Sequence, residues 1–227
     1  EKEFFPGLGA FLKDKKITGK KSQMFSLPVA TKKGVKYLFF VGLGKTTTES
    51  ATRECLREAM ARIVRLAESA KVTSVAFVMP DPKKLHMTSE VVGQVTVIAM
   101  EMASYVFDEF ITDTDAKKVA LKDVTLIVPK TAVAATKKGV ELGLSIAHAV
   151  NRARHWIDLP ANKLAPKDVA DRAKKIAKEH GLKITVFGED QIEKMGMGGL
   201  KAVGMGSKNE CQLVLVEYKT TKKNAPT

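Results

Sequence analysis

The feature that most constrains the fold is a regular alternation of short apolar runs with long amphipathic patterns. Lys36–Val41 is a nearly continuous apolar run, which is typical of a strand covered on both faces of a sheet. In Ser50–Ala70, which follows, apolar residues recur every three or four positions at Leu56, Met60, Ile63 and Ala67. Strands separated by helices of this length need crossover connections. The sequence therefore predicts an α/β protein with a mainly parallel, twisted sheet flanked by helices.

The alternation continues on both sides of this unit. A short helix is predicted around Leu8–Leu12, and a longer helix over Ser89–Phe110 follows the breaker Pro80-Asp81-Pro82. The apolar face of the longer helix would carry Val91, Val95, Ile98, Met102 and Val106. The other predicted strands of this part are Met24–Val29, Ser74–Met79 and Val124–Pro129.

The stretch Thr131–Ile157 differs from the other helices because its apolar residues lie nearly all round the helix axis. Val140, Leu144 and Ala147 fall on one side, and Ile146, Val150 and Ala153 fall on the other. A helix of this kind is usually buried on several sides, so we predict that it lies between two domains.

A second α/β unit is predicted after this helix. Pro166 suits the first position of a helix, Asp168 favours its N-terminal end, and Gly181 ends it. The elements that follow are a strand, a short helix and a strand, at Lys183–Phe187, Glu189–Met195 and Gln212–Tyr218. About seventy residues are too few for most such domains. We therefore expect this unit to be incomplete. The start at Glu1 without a Met, and the polar tail Lys219–Thr227 directly after a strand pattern, lead us to expect that both chain ends are cut.

Composition excludes several classes of protein. With 44% apolar and 28% charged residues among 227, the chain can bury a sizeable core. No apolar run approaches the roughly 20 residues that span a bilayer. Cys55 and Cys211 are too few and too far apart for a disulfide framework, and Glu1–Lys21 has no signal-peptide pattern. These features predict a soluble, cytoplasmic protein without a membrane partner.

The net charge of +13 raises the expectation of a polyanionic partner. Ten lysines stand against four acidic residues within the first fifty positions. However, lysines greatly outnumber arginines, and only three tyrosines and one tryptophan are present to stack on bases. A solvated, lysine-rich surface is the favoured interpretation, and DNA binding is kept as an alternative.

The residue types that usually carry catalysis form no self-contained site in this sequence. His148 and His155 lie seven positions apart on the long helix, without carboxylates or thiolates at ligand spacing, and there is no HExxH motif. These two histidines, like His86 and His180, are assigned structural or surface roles. Neither cysteine has a partner at metal-ligand spacing, and no GxSxG motif presents a nucleophilic serine.

Glycine-rich stretches are the remaining candidates for binding. Gly42-Leu43-Gly44-Lys45 stands between a strand and a helix, where backbone N–H groups can hold phosphate, but it lacks the later residues of both common phosphate-binding motifs. A tight turn is the favoured interpretation. Gly196-Met197-Gly198-Gly199 and Gly204-Met205-Gly206-Ser207 suggest either flexible loops or close backbone approach and are not specific by themselves. The carboxylate pairs, interpreted as solvated or capping groups, are Asp113 with Asp115 and Glu189 with Asp190.

Several stretches together carry a family resemblance. The segment from Asp158 to Pro166, Asp-Leu-Pro-Ala-Asn-Lys-Leu-Ala-Pro, closely resembles the N-T-P-A-N-x-L-T-P segment that opens the catalytic domain of leucyl aminopeptidases, which are cytosolic dinuclear-metal enzymes. Phe40–Lys45 is similar to a strand and turn of that family's N-terminal domain. The sequence departs from the pattern at Asp158-Leu159, Ala165 and Glu210-Cys211-Gln212. Later landmarks occur in the same order at His180–Lys183, Lys194–Leu200, Ala202–Ser207 and Leu213–Tyr218.

The resemblance implies a domain plan and an activity. Residues 1–130 would form a macrodomain-like N-terminal α/β domain, 131–157 a linker helix, and 158–227 the first part of the metallopeptidase catalytic domain. The full-length parent would be a homo-hexamer that removes Leu-like N-terminal residues from peptide substrates. It would use two divalent metals, zinc with manganese or magnesium at one position.

The resemblance also implies what this chain lacks. The family's metal ligands begin with a GKGxxFDxGG-type motif, and the sequence ends before such a motif. No catalytic and no metal-binding residue is therefore assigned, no metal is expected in this segment, and its binding residues are unknown. The 227-residue chain alone is expected to be inactive and to serve assembly or regulation, because a metal pair needs its whole ligand set.

Two other functions stay open at this point. One is a DNA-binding module, an added role that the resemblance allows because some bacterial members of the family also bind DNA. The other is a stand-alone binder of ADP-ribose or a nucleotide, with Gly42–Lys45 at the phosphates.

Overall fold

The computed structural model describes residues 7–32, 34–113 and 121–220. The expectations for Asp115 and for the two chain ends lie outside these residues. The chain divides into two compact units, Glu1–Arg154 and His155–Thr227. None of the described helices is both long enough and apolar enough to cross a bilayer.

The described residues contain seven α-helices and six strands. In chain order they are α1 (Leu8–Asp14), β1 (Met24–Thr31), β2 (Gly34–Val41), α2 (Glu49–Ser69), β3 (Ser74–Val78), α3 (Ser89–Ser104), β4 (Asp123–Ile127), α4 (Val133–Asp158), α5 (Pro166–His180), β5 (Lys183–Phe187), α6 (Glu189–Lys194), α7 (Gly198–Gly204) and β6 (Leu213–Glu217). Single 3₁₀ turns occur at Pro82–Leu85, Lys130–Ala132 and Ala161–Lys163.

Helix α2 forms the centre of the core of the first unit. The predicted helix matches the observed one to within one residue at each end. It begins after Thr48, whose hydroxyl oxygen accepts a hydrogen bond from the Ala51 N–H. All four residues of the predicted apolar stripe are at most 5% exposed: Leu56, Met60, Ile63 and Ala67. The amphipathic pattern therefore predicted both the helix and its buried face.

The first strand pair is an antiparallel hairpin. Met24 lies opposite Val41, and Thr31 lies opposite Gly34. Only two residues separate β1 from β2, and a connection this short joins antiparallel strands, whereas parallel strands need a crossover. The Thr31 hydroxyl donates to the Gly34 carbonyl oxygen (2.7 Å) beside this turn. The prediction of a mainly parallel sheet is wrong for this pair.

The other two pairs differ from each other. Strands β3 and β4 are parallel, with Ser74 opposite Asp123, and α3 lies in the crossover between them. Strands β5 and β6 are antiparallel, with Lys183 opposite Glu217, and two short helices connect them in place of one long crossover helix. The α/β class is confirmed. The mainly parallel sheet is a wrong prediction, because the described strands form three two-stranded sheets and one of these is parallel.

Helix α3, and not α4, is packed on two sides. Its residues Val92, Val95, Ala99 and Met100 belong to the same core cluster as the α2 stripe. On another side, a Cβ added to Gly93 of α3 would lie 2.8 Å from the Thr136 carbonyl oxygen of α4. Of the five residues predicted to form the apolar face of α3, Val95 alone is fully buried. That face was misplaced because the sequence does not reveal the second packing partner.

Helix α4 is buried along a single stripe. This stripe consists of Thr136, Gly139, Gly143 and Ala147. By contrast, Leu142 and Ile146 are 48% and 37% exposed. The prediction that α4 is buried on several sides is therefore wrong. Its small residues allow α3 to approach closely on one side, and its larger apolar residues point away from that contact.

Helix α3 ends at Ser104, six residues before the predicted end at Phe110. Two side chains of α4 bind carbonyl groups in its last turn. Asn151 donates to the Glu101 carbonyl oxygen (3.1 Å), and Arg154 donates to the Met102 carbonyl oxygen (2.8 Å). The Arg154 guanidinium also lies 4.1 Å from the centre of the Tyr105 ring. These contacts satisfy carbonyl groups that the helix end leaves without a partner.

We expect Arg154→Ala to lower the free energy of unfolding by about 2 kcal/mol, because it removes a charged donor and a cation–π contact. Urea denaturation followed by circular dichroism measures this loss. The matched control is Arg152→Ala, an exposed position on the same helix, which should change stability by no more than about 0.5 kcal/mol. Equal losses in both variants would contradict the proposed role of Arg154 at the end of α3.

The second unit contains α5, α6, α7 and the β5–β6 pair. Helix α5 starts at Pro166 and ends before Gly181, which has a positive φ of 64°, as the sequence predicts. The Asp168 carboxylate accepts a hydrogen bond from the Ala165 N–H (2.8 Å) at the helix start. Ile192 of α6 is fully buried. Strand β5 has its predicted boundaries. Helix α6 is one residue shorter than predicted, and β6 is shorter by one residue at each end.

Candidate functional site

The predicted turn Gly42–Lys45 follows β2, and its backbone is engaged by another loop. The Gly42 N–H donates to the Gln23 carbonyl oxygen (2.8 Å), and the Gly44 N–H donates to the Gly19 carbonyl oxygen (2.9 Å). A Cβ on Gly42 would overlap the backbone of that loop, and Gly44 has a φ of +76°. Both glycines are thus required where two chain segments pack closely.

This geometry favours the tight turn over a phosphate cradle. A cradle needs backbone N–H groups that are free to face the ligand, and the amides of Gly42 and Gly44 already have carbonyl partners. The opposing loop is itself held in place, because the Gln23 side-chain oxygen accepts from the Thr18 and Gly19 N–H groups (2.9 Å each). The amides of Gly42 and Gly44 are therefore not available to the phosphates of a nucleotide, which argues against the nucleotide-binding alternative.

The motif segment Asp158–Pro166 connects α4 to α5. Leu159, which follows α4, is 8% exposed and anchors the segment. The Lys163 N–H then donates to the Pro160 carbonyl oxygen (2.8 Å), closing the 3₁₀ turn. Residues of this motif thus make the turn and capping contacts that join two helices.

Of the two interpretations of the later glycine-rich stretches, the flexible loop is wrong for Gly198–Gly204, which forms α7. This helix is joined to α6 by an ion pair of 2.5 Å between Lys201 and Glu193. The hydrogen bond to the Glu193 carboxylate raises the pKa of Lys201. A Cβ on Gly204 would overlap the sulfur of Cys211, which is 7% exposed. Gly204 therefore allows close packing, in agreement with the alternative of close approach.

The four histidines lie in three different parts of the structure. His86 follows the first 3₁₀ turn, His180 is the last residue of α5, and His148 and His155 lie on α4. His148 Nε2 is 4.0 Å from the Glu101 carboxylate, and its side chain is 64% exposed. Within the described ranges, no three His, Cys, Asp or Glu side chains form a group that could hold a metal ion.

Acidic residues line a small depression in the second unit. Its volume is about 340 Å³, and its lining includes Glu189, Asp190, Glu193 and Glu210. Glu189 and Asp190 occupy the first turn of α6, where negative charge is favourable. These positions support the capping interpretation of this pair. Asp113 lies in a loop, outside any helix or strand.

The described residues do not fit the metal pair that the family resemblance implies. Such a site needs several carboxylate ligands around each ion. The acidic side chains in the depression form no such group, and Glu193 is paired with Lys201. No catalytic step can be derived from the residues present.

Two protein-family models match the chain in sequence order. The N-terminal domain of the cytosol aminopeptidase family matches residues 7–114, and the catalytic domain of the same family matches residues 151–227. The chain belongs to the cytosol aminopeptidase family. The resemblance inferred from Asp158–Pro166 and the later landmarks is thereby confirmed.

Curated members of the cytosol aminopeptidase family align with most of the chain. A probable cytosol aminopeptidase from Roseiflexus castenholzii is 32% identical over 191 residues, which cover 84% of this chain and 38% of that protein. A probable cytosol aminopeptidase from Rickettsia felis is 32% identical over 213 residues, covering 93% and 42% respectively. The chain thus spans about two fifths of the length of these relatives.

Solved structures of two other proteins share the fold. The bottromycin maturation enzyme BotP is 25% identical, with a TM-score of 0.76 over 93% of this chain and 43% of its own. BotP has also been solved in complex with Mn. A mutant of tomato leucine aminopeptidase is 19% identical, with a TM-score of 0.78 over 97% of this chain and 42% of its own, and supports the fold alone.

Proposed function

We propose that residues 1–227 form the N-terminal part of a longer cytosol aminopeptidase. In this proposal, residues 1–130 are the N-terminal domain, 131–157 a linker helix and 158–227 the first part of the catalytic domain. The observation that carries it is the order of the two family matches, at 7–114 and 151–227, within one chain. The chain's coverage of 38–42% of its relatives' lengths supports it.

The full-length protein would hydrolyse peptides at the N-terminal residue, with a preference for Leu-like side chains, as a hexamer in the cytoplasm. The names of the relatives support the reaction class, and the BotP complex with Mn supports a divalent metal. Two such ions, zinc with manganese or magnesium at one position, would polarise the peptide carbonyl and activate water. Residues 1–227 would serve the assembly or regulation of the full-length protein.

Leucine release from a leucine amide decides this proposal. The protein from the full reading frame should release leucine, and a chelator should abolish the release until Zn²⁺ or Mn²⁺ is restored. At equal concentration, the rate of leucine release by the 227-residue chain should be lower by at least about a thousandfold. This factor is small compared with typical enzymatic rate enhancements. A full-length protein that is inactive with either metal would contradict the proposal, as would an equally active 227-residue chain.

DNA binding stays a prediction of the sequence. The net charge of +13 is the observation in its favour. Salt-dependent retardation of duplex DNA in a gel would support phosphate-driven contacts.

A further inference from the structure

A large cleft separates two strand edges in the first unit. Strand β2 pairs with β1, and β3 pairs with β4, but β2 and β3 do not pair with each other. Both strands line the same cleft, whose volume is about 1080 Å³. The cleft therefore lies between two sheet edges, and among the described residues neither edge has a strand neighbour on that side.

The hydrogen-bond register shows which backbone groups of β2 face the cleft. In an antiparallel pair, directly opposite residues alternate between bonded and non-bonded pairs. The Gly42 N–H donates to the Gln23 carbonyl oxygen, so this pair is bonded, and the pair of Tyr37 with Pro28, five positions further along, is non-bonded. Pro28 has no N–H to donate to β2, which agrees with its place in a non-bonded pair. The residues whose N–H and carbonyl groups point away from β1 are Val35, Tyr37, Phe39 and Val41.

The same reasoning applies to β3. In a parallel pair, every second residue directs both its N–H and its carbonyl group to the same neighbour. The Thr73 carbonyl oxygen accepts from the Asp123 N–H (3.1 Å), and the Met79 N–H donates to the Ile127 carbonyl oxygen (3.1 Å). Odd-numbered residues therefore bond to β4. The residues whose backbone groups point away from β4 are Ser74, Ala76 and Val78, all of which line the cleft.

Apolar side chains form the walls of the cleft. On one side are Leu56, Ala59, Met60 and Ile63 of α2. Leu8 of α1 and Ile17 also contribute to the lining. The edge strands themselves are accessible, with Val35 61% and Val78 68% exposed. Unpaired N–H and carbonyl groups along such an edge are a template for pairing with a further strand. A peptide in extended conformation supplies donors and acceptors along both of its edges.

We propose that this cleft receives an additional β-strand, an extended apolar segment that hydrogen-bonds to β2 on one side and to β3 on the other. We assign the segment to the same polypeptide, outside residues 1–227. This assignment rests on the proposed function, because the relatives have more than half of their length outside the region that this chain covers.

The dimensions of the edges define the segment. Five residues of β3 extend over about 17 Å, and one inserted strand needs neighbours about 9.6 Å apart. Its side chains should be apolar on both faces, as in a central strand covered on two sides. With the segment in place, the two sheets of the first unit become one five-stranded sheet, and the exposed backbone edges disappear.

Hydrogen exchange with single-residue resolution tests the proposal in the 227-residue chain and in the full-length protein. In the 227-residue chain, the amides of Tyr37, Phe39 and Ala76 should exchange at least about tenfold faster than those of Leu38 and Phe77, which bond to β1 and β4. In the full-length protein, both sets should be equally protected. The alternate residues of the same strands thus serve as internal controls.

Three exchange results would overturn the proposal. The first is fast exchange of Tyr37, Phe39 and Ala76 in the full-length protein, since no strand then fills the cleft. The second is slow exchange of these amides in the 227-residue chain. The third is protection that rises with protein concentration, since the strand would then come from a second copy.

A variant of the cleft edge provides a second test. Ala76→Pro removes an N–H that faces the cleft but leaves the β3–β4 hydrogen bonds in place. In the full-length protein it should speed exchange at Tyr37 and Phe39 by at least about tenfold, whereas Ala76→Val, which keeps the N–H, should not. Unchanged exchange in Ala76→Pro would contradict strand insertion. Leucine release is measured separately, so an inactive protein with a protected cleft refutes the proposed function and leaves the strand proposal standing.

Discussion

Gly139→Ala should lower the free energy of unfolding by about 2–3 kcal/mol, although alanine is the better helix former. Gly139 lies in the interior of α4, where a Cβ would overlap the Glu90 carbonyl oxygen of α3. The obstacle is backbone, so the two helices must move apart to admit the methyl group. Urea denaturation monitored by circular dichroism at 222 nm measures the loss.

The matched control is the same substitution in an open position. Gly199 lies within α7, and a Cβ there would meet no atom within 4 Å. Gly199→Ala should therefore raise stability by up to about 1 kcal/mol through helix propensity. A neutral or stabilising Gly139→Ala would show that α3 and α4 do not pack as closely as described.

Ile192→Ala should destabilise the second unit by about 3 kcal/mol, because it leaves a cavity at a fully buried position. A unit of this size has little stability in reserve, so the loss should lower its denaturation midpoint clearly. Trp156 is the chain's single tryptophan and belongs to this unit, where Arg172 lies 5.8 Å from its ring. Its fluorescence during urea denaturation therefore reports on this unit.

Ile157→Ala is the control for that experiment. Ile157 is 81% exposed on α4, so its truncation leaves no cavity and improves helix propensity. Its midpoint should equal or slightly exceed that of the unmodified chain. If the two isoleucine variants lose the same stability, Ile192 is not part of a packed core.

The cleft and the family assignment bear on different parts of the chain. The catalytic-domain match begins at residue 151, whereas every residue that lines the cleft precedes residue 81. The cleft therefore concerns the completion of the N-terminal domain's sheet. Leucine release concerns the chemistry of the catalytic domain. This separation makes the two proposals independently testable.

Helices could be predicted well wherever a single face is buried. In α2, the periodic spacing of Leu56 and Met60 identifies both the helix and its buried stripe, because residues three and four apart share a face. In α3 the same reasoning placed the end too late. The residue that binds its last turn, Arg154, lies about fifty positions further along the chain.

The candidate site was predictable in position but not in contacts. The turn Gly42–Lys45 lies where the sequence places it, at the end of β2. Its amides bond to Gly19 and Gln23, about twenty residues earlier, and no local pattern indicates that contact. Two signals pointed to other features that were missed. The two-residue connection after Thr31 indicates a hairpin, and the small residues of α4 indicate close helix packing.

The sequence by itself determined the α/β class, the segments that become helices and strands, and the family, because these depend on periodicity and on motif residues in order along the chain. The tertiary structure decided which strands pair, that α3 and not α4 is packed on two sides, and that a cleft separates β2 from β3. The physical reason is the distance along the chain between the residues that interact. Helix and strand patterns arise from neighbours a few residues apart, whereas pairing and packing depend on contacts between residues dozens of positions apart, which one sequence does not display.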